Sequence, residues 1–255
     1  MINAIKSFFK VILYQPMYNI FVFLVWLIPG HNLGWAVILL TIIIRLILYP
    51  SQKKAIVSQQ QLQRIQPELD EIKTKYGKDQ QAQAQATMDL YKRNNINPFA
   101  SCLPLLIQLP IMFILYKVFT VGLNTDRFDM LYSFTPRPEF INTIFCWVDL
   151  SKPNIAFAIV AGVLQFFQSK MMMPPKPKVD KNKEQDAASI AANFSSQMIY
   201  MMPIMTILIA VKLPAALPLY WIVTTLFMIV QQKMLSRHKV KIDPKGVSVK
   251  VISGK

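Results

Sequence analysis

From Val11 to Ile44 the chain runs for 34 residues without an Asp, Glu, Lys or Arg. Two more charge-free runs follow, Ala187 to Val211 and Leu213 to Gln232. Stretches of this length and character are those of membrane spans, each of which needs roughly 20 mostly apolar residues. Only 16% of the chain is charged, against about 25% in a typical soluble domain, and the deficit sits in these runs. Seven glycines and two cysteines in 255 residues exclude collagen-like and disulfide-stapled chains. The expected fold class is an all-α polytopic membrane protein.

Pro29-Gly30-His31-Asn32 breaks the first run. The part before it, Met17 to Ile28, is short for a crossing, rich in aromatics (Tyr18, Phe21, Phe23, Trp26) and preceded by Lys6 and Lys10. That pattern predicts a helix lying in the membrane interface, so residues 1–32 are expected to be an N-terminal interfacial amphipathic region. The run lacks a small-residue cleavage pattern and leads into another span, which disfavours a signal peptide. No cysteine near the start offers a lipoprotein anchor. The first span falls at 33–50, with Lys53 and Lys54 as its stop. Four more fall within 98–232: Phe99–Val121, Asn154–Met173, Ala187–Val211 and Leu213–Gln232. The segments 51–97 and 233–255 lie between and after them as a cytoplasmic helical hairpin and a basic tail.

Five spans place the termini on opposite sides of the membrane. Segments 51–97, 170–197 and 233–255 together carry 20 of the 28 basic residues, and the opposite side carries six. The positive-inside bias therefore predicts an N-terminus outside and a C-terminus in the cytoplasm. The net charge of +15 would suggest nucleic acid in a soluble protein; here topology accounts for most of it, and no DNA partner is expected.

Within 51–97, Leu62, Ile65, Leu69, Ile72 and Tyr76 are spaced 3, 4, 3, 4, a heptad seam. Pro67, followed by Glu68, Asp70 and Glu71, reads as a first-turn proline restarting a helix that Gly77 ends. A second helix is expected from Gln80 to Arg93, giving two antiparallel helices. A lone pair of this kind buries little apolar area, so the hairpin is expected to be mobile.

Catalytic constellations are scarce. His31 and His238, the only histidines, fall on opposite sides of the expected membrane, as do Cys102 and Cys146. No phosphate loop or dinucleotide fingerprint is present, and no Asp or Glu lies within any span. No enzyme, metal site or cofactor is expected. Arg45 is the exception to an otherwise apolar interior. Counting from Gly34 it lies roughly 16 Å into the span, near the middle of a ~30 Å hydrocarbon core. Placing Arg there costs at least about 2.5–3.5 kcal/mol, more depth than a stop signal needs, and no acid exists in a span to pair with it. Snorkelling toward the cytoplasm is the bland alternative; a hydrated groove holding an anionic or polar guest is the functional one. Thr41, Gln108, Gln165 and Trp221 reach similar depth from their own loops, roughly 12–17 Å. Each glutamine could equally make an ordinary interhelical hydrogen bond. A cluster of methionines (Met171, Met172, Met173, Met198, Met201, Met202, Met205) suits either an adaptable apolar face or plain gap-filling.

Three segments resemble one known family. Gly34-Trp-Ala-Val-Ile-Leu-Leu-Thr-Ile-Ile-Ile-Arg45-Leu-Ile-Leu-Tyr-Pro50 is similar to the groove-arginine span of YidC-type membrane protein insertases. So are Asn97-Pro-Phe-Ala-Ser-Cys-Leu-Pro-Leu-Leu-Ile-Gln-Leu-Pro110 and Leu219-Tyr-Trp-Ile-Val223 followed by Gln231-Gln232. The resemblance extends from about residue 15 to 237. It implies a five-helix core with a groove open to cytoplasm and lipid, in which Arg45 receives hydrophilic parts of a nascent membrane protein while the apolar segment passes into lipid. Thr41, Trp221 and Gln165 match groove positions, the hairpin matches one implicated in partner contact, and the tail resembles those that approach the ribosome. The Sec translocon, the ribosome and membrane lipids are the further partners implied. Longer family members carry an extra N-terminal span and an external domain, and many short ones a lipid-modified cysteine; this sequence shows neither. The competing function is a small-solute transporter using Arg45 as an anion site, which would show related halves and broken helices. A structural assembly scaffold is the third possibility, and it leaves Arg45 unexplained.

Overall fold

The computed structural model describes residues 10–77, 79–97, 103–121, 130–171 and 200–237. The first part of the fourth expected span (187–199), Cys102, Met172, Met173, Met198 and residues 238–255 of the tail lie outside the described residues. The chain divides into two compact units: Met1–Leu48, Leu106–Gln165 and Pro203–Phe227 form the first, and Tyr49–Leu105, Phe166–Met202 and Met228–Lys255 the second.

In the first unit, helix α1 (Gln15–Leu27) follows directly on one π-helical turn, Lys10–Tyr14. The two make a continuous apolar helix of 18 residues, about 27 Å long at the helical rise. The stretch Met17–Ile28, expected as a short interfacial segment, is thus part of a longer helix. Among the described residues it is the single unbroken helix with the length and apolarity a crossing requires. Its inner face, Tyr18, Phe21, Val22 and Val25, is fully covered, at the i, i+3, i+4, i+7 spacing of one helix face. Gly30 turns the chain at φ 74°, and Asn32 caps helix α2 (Leu33–Ile47) by accepting from the Gly34 and Trp35 amides at 3.0 and 3.3 Å. Leu33, Ala36, Val37 and Leu40 repeat the same spacing and meet α1 in one core.

Three described helices lie wholly in the second unit: α3 (Tyr49–Arg64), α4 (Gln66–Tyr76) and α5 (Gln80–Arg93). Helix α6 (Leu103–Val121) brings Leu115, Val118 and Phe119 into the first unit's core, with Phe119 tilted against Phe21 at 5.4 Å. Residues 130–154 then form a cap holding the only strands among the described residues, β1 (Ile144–Phe145) and β2 (Val148–Asp149), paired antiparallel. The all-α expectation omitted this hairpin, whose Cys146-Trp147 turn lacks the usual Asn-Gly signal. The cap is tied to the starts of the helices: the Leu33 amide donates to the Asn142 carbonyl at 2.8 Å and the Ala216 amide to the Leu150 carbonyl at 3.1 Å. Gly34 allows this approach, because a Cβ there would strike the Phe145 ring. Helices α7 (Ile155–Met171) and α8 (Tyr200–Ala210) pack closely at Gly162, whose missing Cβ makes room for Ile207. Helix α9 (Ala216–Arg237) ends the described chain. Helices occupy most of the described residues in each expected span, with breaks at Leu48 and at residues 213–215.

In the second unit the seam packs as its spacing predicts. The α3–α4 break falls at Ile65, Pro67 sits in the first turn of α4, and Gly77 at φ 49° closes it. Ile65, Leu69, Leu90 and Ile96 bury one another, with Leu62, Ile72 and Tyr91 at the edge; Tyr76, the last seam position, stays half-buried beside Lys75, whose ammonium lies 5.5 Å from its ring. Burial pushes the Tyr91 phenol above its ordinary pKa. Asp79 caps α5 by accepting from the Ala82 amide at 3.0 Å. In the same unit the Gln231 amide reaches the Tyr49 carbonyl at 3.5 Å and the Gln232 amide the Met171 carbonyl at 3.0 Å.

Candidate functional site

Arg45 sits in the last turn of α2, three turns beyond the cap, and only 2% of it is exposed. Its guanidinium donates to Oε1 of Gln108 on α6 at 2.8 Å. The Gln108 amide in turn donates to the Tyr220 hydroxyl on α9 at 2.7 Å. Three helices of the first unit thus converge on one polar chain, Arg45–Gln108–Tyr220. The chain fixes the glutamine's orientation: the oxygen must face the cation, since a turned amide would set NH₂ donors against guanidinium donors. Gln108 lies two residues before Pro110, which supplies no N–H and removes one backbone bond from that turn of α6.

The site is electrostatically unfinished. Among the described residues no carboxylate pairs with Arg45, and its Nε is buried without a partner. Burying a charge against a single neutral acceptor is expensive. Thr224, one turn after Tyr220 on α9, has its hydroxyl buried without a partner as well. The first unit therefore holds a buried donor and a hydroxyl with hydrogen-bonding capacity to spare.

The other expected site residues separate into two groups. Gln108, placed by depth alone, is the residue that meets Arg45. Thr41 is buried one turn before Arg45, but its hydroxyl donates to the Val37 carbonyl of its own helix at 2.6 Å. Trp221 is half-buried against the first unit's core, while its neighbour Tyr220 makes the polar contact. Gln165 belongs to another pair: its Oε1 accepts from the Thr206 hydroxyl at 2.7 Å, joining α7 to α8. Sequence reasoning missed Tyr220 and Thr224. Their four-residue spacing on one face of α9 was the available signal, and the rarer Trp221 drew attention away from it.

A model of the family described as 60Kd inner membrane protein matches residues 25–242. The chain belongs to the YidC family of membrane protein insertases. It is 34% identical over 230 residues to the membrane protein insertase YidC of Oceanobacillus iheyensis, covering 86% of this chain and 83% of that relative. It is 36% identical over 224 residues to the membrane protein insertase MisCA of Bacillus subtilis, covering 85% and 75%. With the membrane protein insertase YidC of Clostridium tetani it shares 35% identity over 246 residues, covering 94% and 97%. As a YidC-family chain it is a bacterial membrane protein and not an enzyme. The family match spans Arg45, Gln108, Tyr220 and Thr224 alike.

Proposed function

We propose that this chain inserts and chaperones membrane proteins by lodging hydrophilic parts of a nascent substrate against Arg45, in a groove to which Thr41, Gln108, Gln165 and Trp221 also contribute. The observation that carries the reading is the buried guanidinium with a neutral amide as its acceptor and a partnerless Nε. A substrate's short translocated segment often bears Asp or Glu, and moving such a charge unaided through hydrocarbon is costly. A cation held at low surrounding dielectric lowers that cost midway. In the resting chain Gln108 occupies the place the guest's oxygen would take, and Tyr220 holds Gln108 ready to receive the guanidinium again. The apolar segment meanwhile partitions into lipid, so no nucleotide, metal or other cofactor is needed.

In this reading the N-terminus lies outside and the C-terminus in the cytoplasm, as the distribution of basic residues predicts. Five helices, those of the expected spans, cross the membrane, while α1 follows its interface despite a length that would permit a crossing. The α4–α5 pair and the basic tail are cytoplasmic, where the Sec translocon and the ribosome are candidate partners. The test is insertion into liposomes of matched substrates whose translocated segment is acidic or neutral. The need is for charge more than for fork geometry, so Arg45→Lys should retain most activity. Arg45→Ala should lose at least tenfold on the acidic substrate and much less on the neutral one. Equal insertion of the acidic substrate by Arg45→Ala and wild type would overturn the electrostatic role.

A further inference from the structure

The cap 130–154 carries a feature the groove does not use. The turn between β1 and β2 consists of Cys146 and Trp147, at φ 47° and 63°. Two positive φ values are what a two-residue hairpin turn of the right twist demands, and Asn-Gly is the usual way to supply them. A bulky residue in the left-handed region is an outlier that the surrounding structure must hold in place. The surroundings do so here. The Asn32 side chain donates to the Ile144 carbonyl at 2.8 Å, Phe145 packs edge-on to Trp35 at 5.6 Å, and the Asp149 carboxylate accepts from the Ser151 hydroxyl and amide. The result is a rigid mount that points an indole away from the protein. Trp147 is 96% exposed, the most of any large apolar residue among those described, and Phe134 on the same cap is 80% exposed.

The position of this mount indicates what covers it. The cap is joined to the ends at which α2 and α9 begin through the Leu33, Ala215 and Ala216 amides, and it runs directly into the start of α7. Exposed apolar surface continues from it along α7 through Ile155, Ile159, Val160 and Val163, the flank of a membrane protein that faces acyl chains. Cations lie at the same level: Lys152, largely exposed and paired with Asp149 at 3.3 Å, and Lys212. Exposed tryptophan and phenylalanine beside lysines, where the apolar flank of a helix begins, is the composition that seats at the boundary between headgroups and acyl chains.

We infer that Trp147 is a membrane-interface anchor: its indole inserts at the headgroup–acyl boundary of the bilayer at the end where α2 begins, and sets the depth at which the first unit rides. Arg45 lies 12 residues along α2 from Leu33, about 18 Å at the helical rise. Fixing the indole therefore fixes how far the guanidinium sits below that surface. The inference stands on the cap alone and does not depend on the groove reading.

The experiment uses the full chain in phosphatidylcholine–phosphatidylglycerol vesicles, with Trp26, Trp35 and Trp221 replaced by Phe so that Trp147 is the sole indole. Lipids with a nitroxide near the headgroup should quench its fluorescence severalfold more than lipids labelled at the chain end, and aqueous acrylamide should quench it weakly. Should the triple variant fold poorly, Trp147→Phe in the otherwise unaltered chain must reduce the quenching by the shallow nitroxide, the remainder coming from the exposed Trp26 and Trp35. Strong acrylamide quenching with no response to either nitroxide would overturn the anchor. So would shielding of Trp147 that appears only when a substrate polypeptide is added, which would make the occupant a protein.

Discussion

Asn19 and Arg45 are both buried polar side chains of the first unit, at 4% and 2% exposure, and they are treated in opposite ways. The Asn19 amide donates to the Gln15 carbonyl at 2.8 Å and the Met130 carbonyl at 3.1 Å. Its oxygen accepts from the Tyr132 amide at 2.7 Å and the Thr135 hydroxyl at 2.8 Å. Every hydrogen-bonding position of the side chain is used. Arg45, which carries a full charge, is left with a buried Nε unmatched. A residue satisfied on all sides is a pin; the charged one left incomplete is, in the function proposed above, the place a guest would take. The difference is between a buried side chain whose partners are complete and one whose partners are not.

The comparison can be broken most forcefully at the pin. Asn19→Leu leaves the Tyr132 amide and the Thr135 hydroxyl without this acceptor, and each buried orphan costs about 1–3 kcal/mol. Thermal unfolding in detergent should show a loss of several kcal/mol, with insertion falling for all substrates alike. An unchanged melting temperature would mean that water replaces the asparagine, and that the cap is not pinned there.

The next effect sharpens the other side. Gln108→Glu gives Arg45 an ionised partner in place of a neutral one, so that a bond charged on one side becomes an ion pair. The fold should be at least as stable as wild type, while insertion of acidic substrates drops severalfold and neutral ones less, because a permanent guest now holds the guanidinium. Unaltered insertion together with raised stability would show that Arg45 is a structural residue like Asn19.

A smaller contrast compares two buried threonines. Thr135→Val removes a hydroxyl bonded to Asn19 and should cost about 1 kcal/mol. Thr224→Val removes a hydroxyl that has no partner and should be neutral or slightly stabilising by the same reasoning. Equal losses in equilibrium unfolding would contradict the distinction.

The smallest effect is at Asp149. The Ser151 hydroxyl at 2.6 Å, helped by the Ser151 amide, Thr143 and Lys152, holds its carboxyl down to about 2. A carboxyl lowered in the folded state adds stability above its ordinary value of 3.8 and loses that contribution as pH falls through about 2. The window is therefore acidic, between those two values. Carboxyl NMR titration should find Asp149 near 2, and Ser151→Ala should raise it toward the ordinary value.

Much of this was legible in the residues. The 3, 4 spacing at Leu62, Ile65, Leu69 and Ile72 forecast the α4–α5 packing, because side chains on one helix face must meet whatever lies opposite. Arg45 stood out because a charge in an apolar run has few explanations. Partnership was harder to read. Gln108 and Gln165 are expected at similar depth, yet one meets Arg45 and the other Thr206, since helix rotation and neighbour order are tertiary facts that depth does not encode. The length of α1 was underestimated because Met17–Ile28 was measured alone, whereas the helix takes in Gln15 and Pro16 and continues back through a π turn to Lys10. The β1–β2 hairpin left no composition signal, because its turn is held by contacts distant in sequence.

Gly34 and Phe145 are locked together: the ring occupies the volume where any side chain at 34 would begin. Drift at one position is therefore conditional on the other. An alanine at 34 becomes acceptable only after 145 has shrunk, and a shrunken 145 alone leaves a gap beneath the turn that carries Trp147. Lineages of related chains should show the two sites changing as a coupled pair, with the intermediate states rare, so the cap evolves in steps rather than gradually.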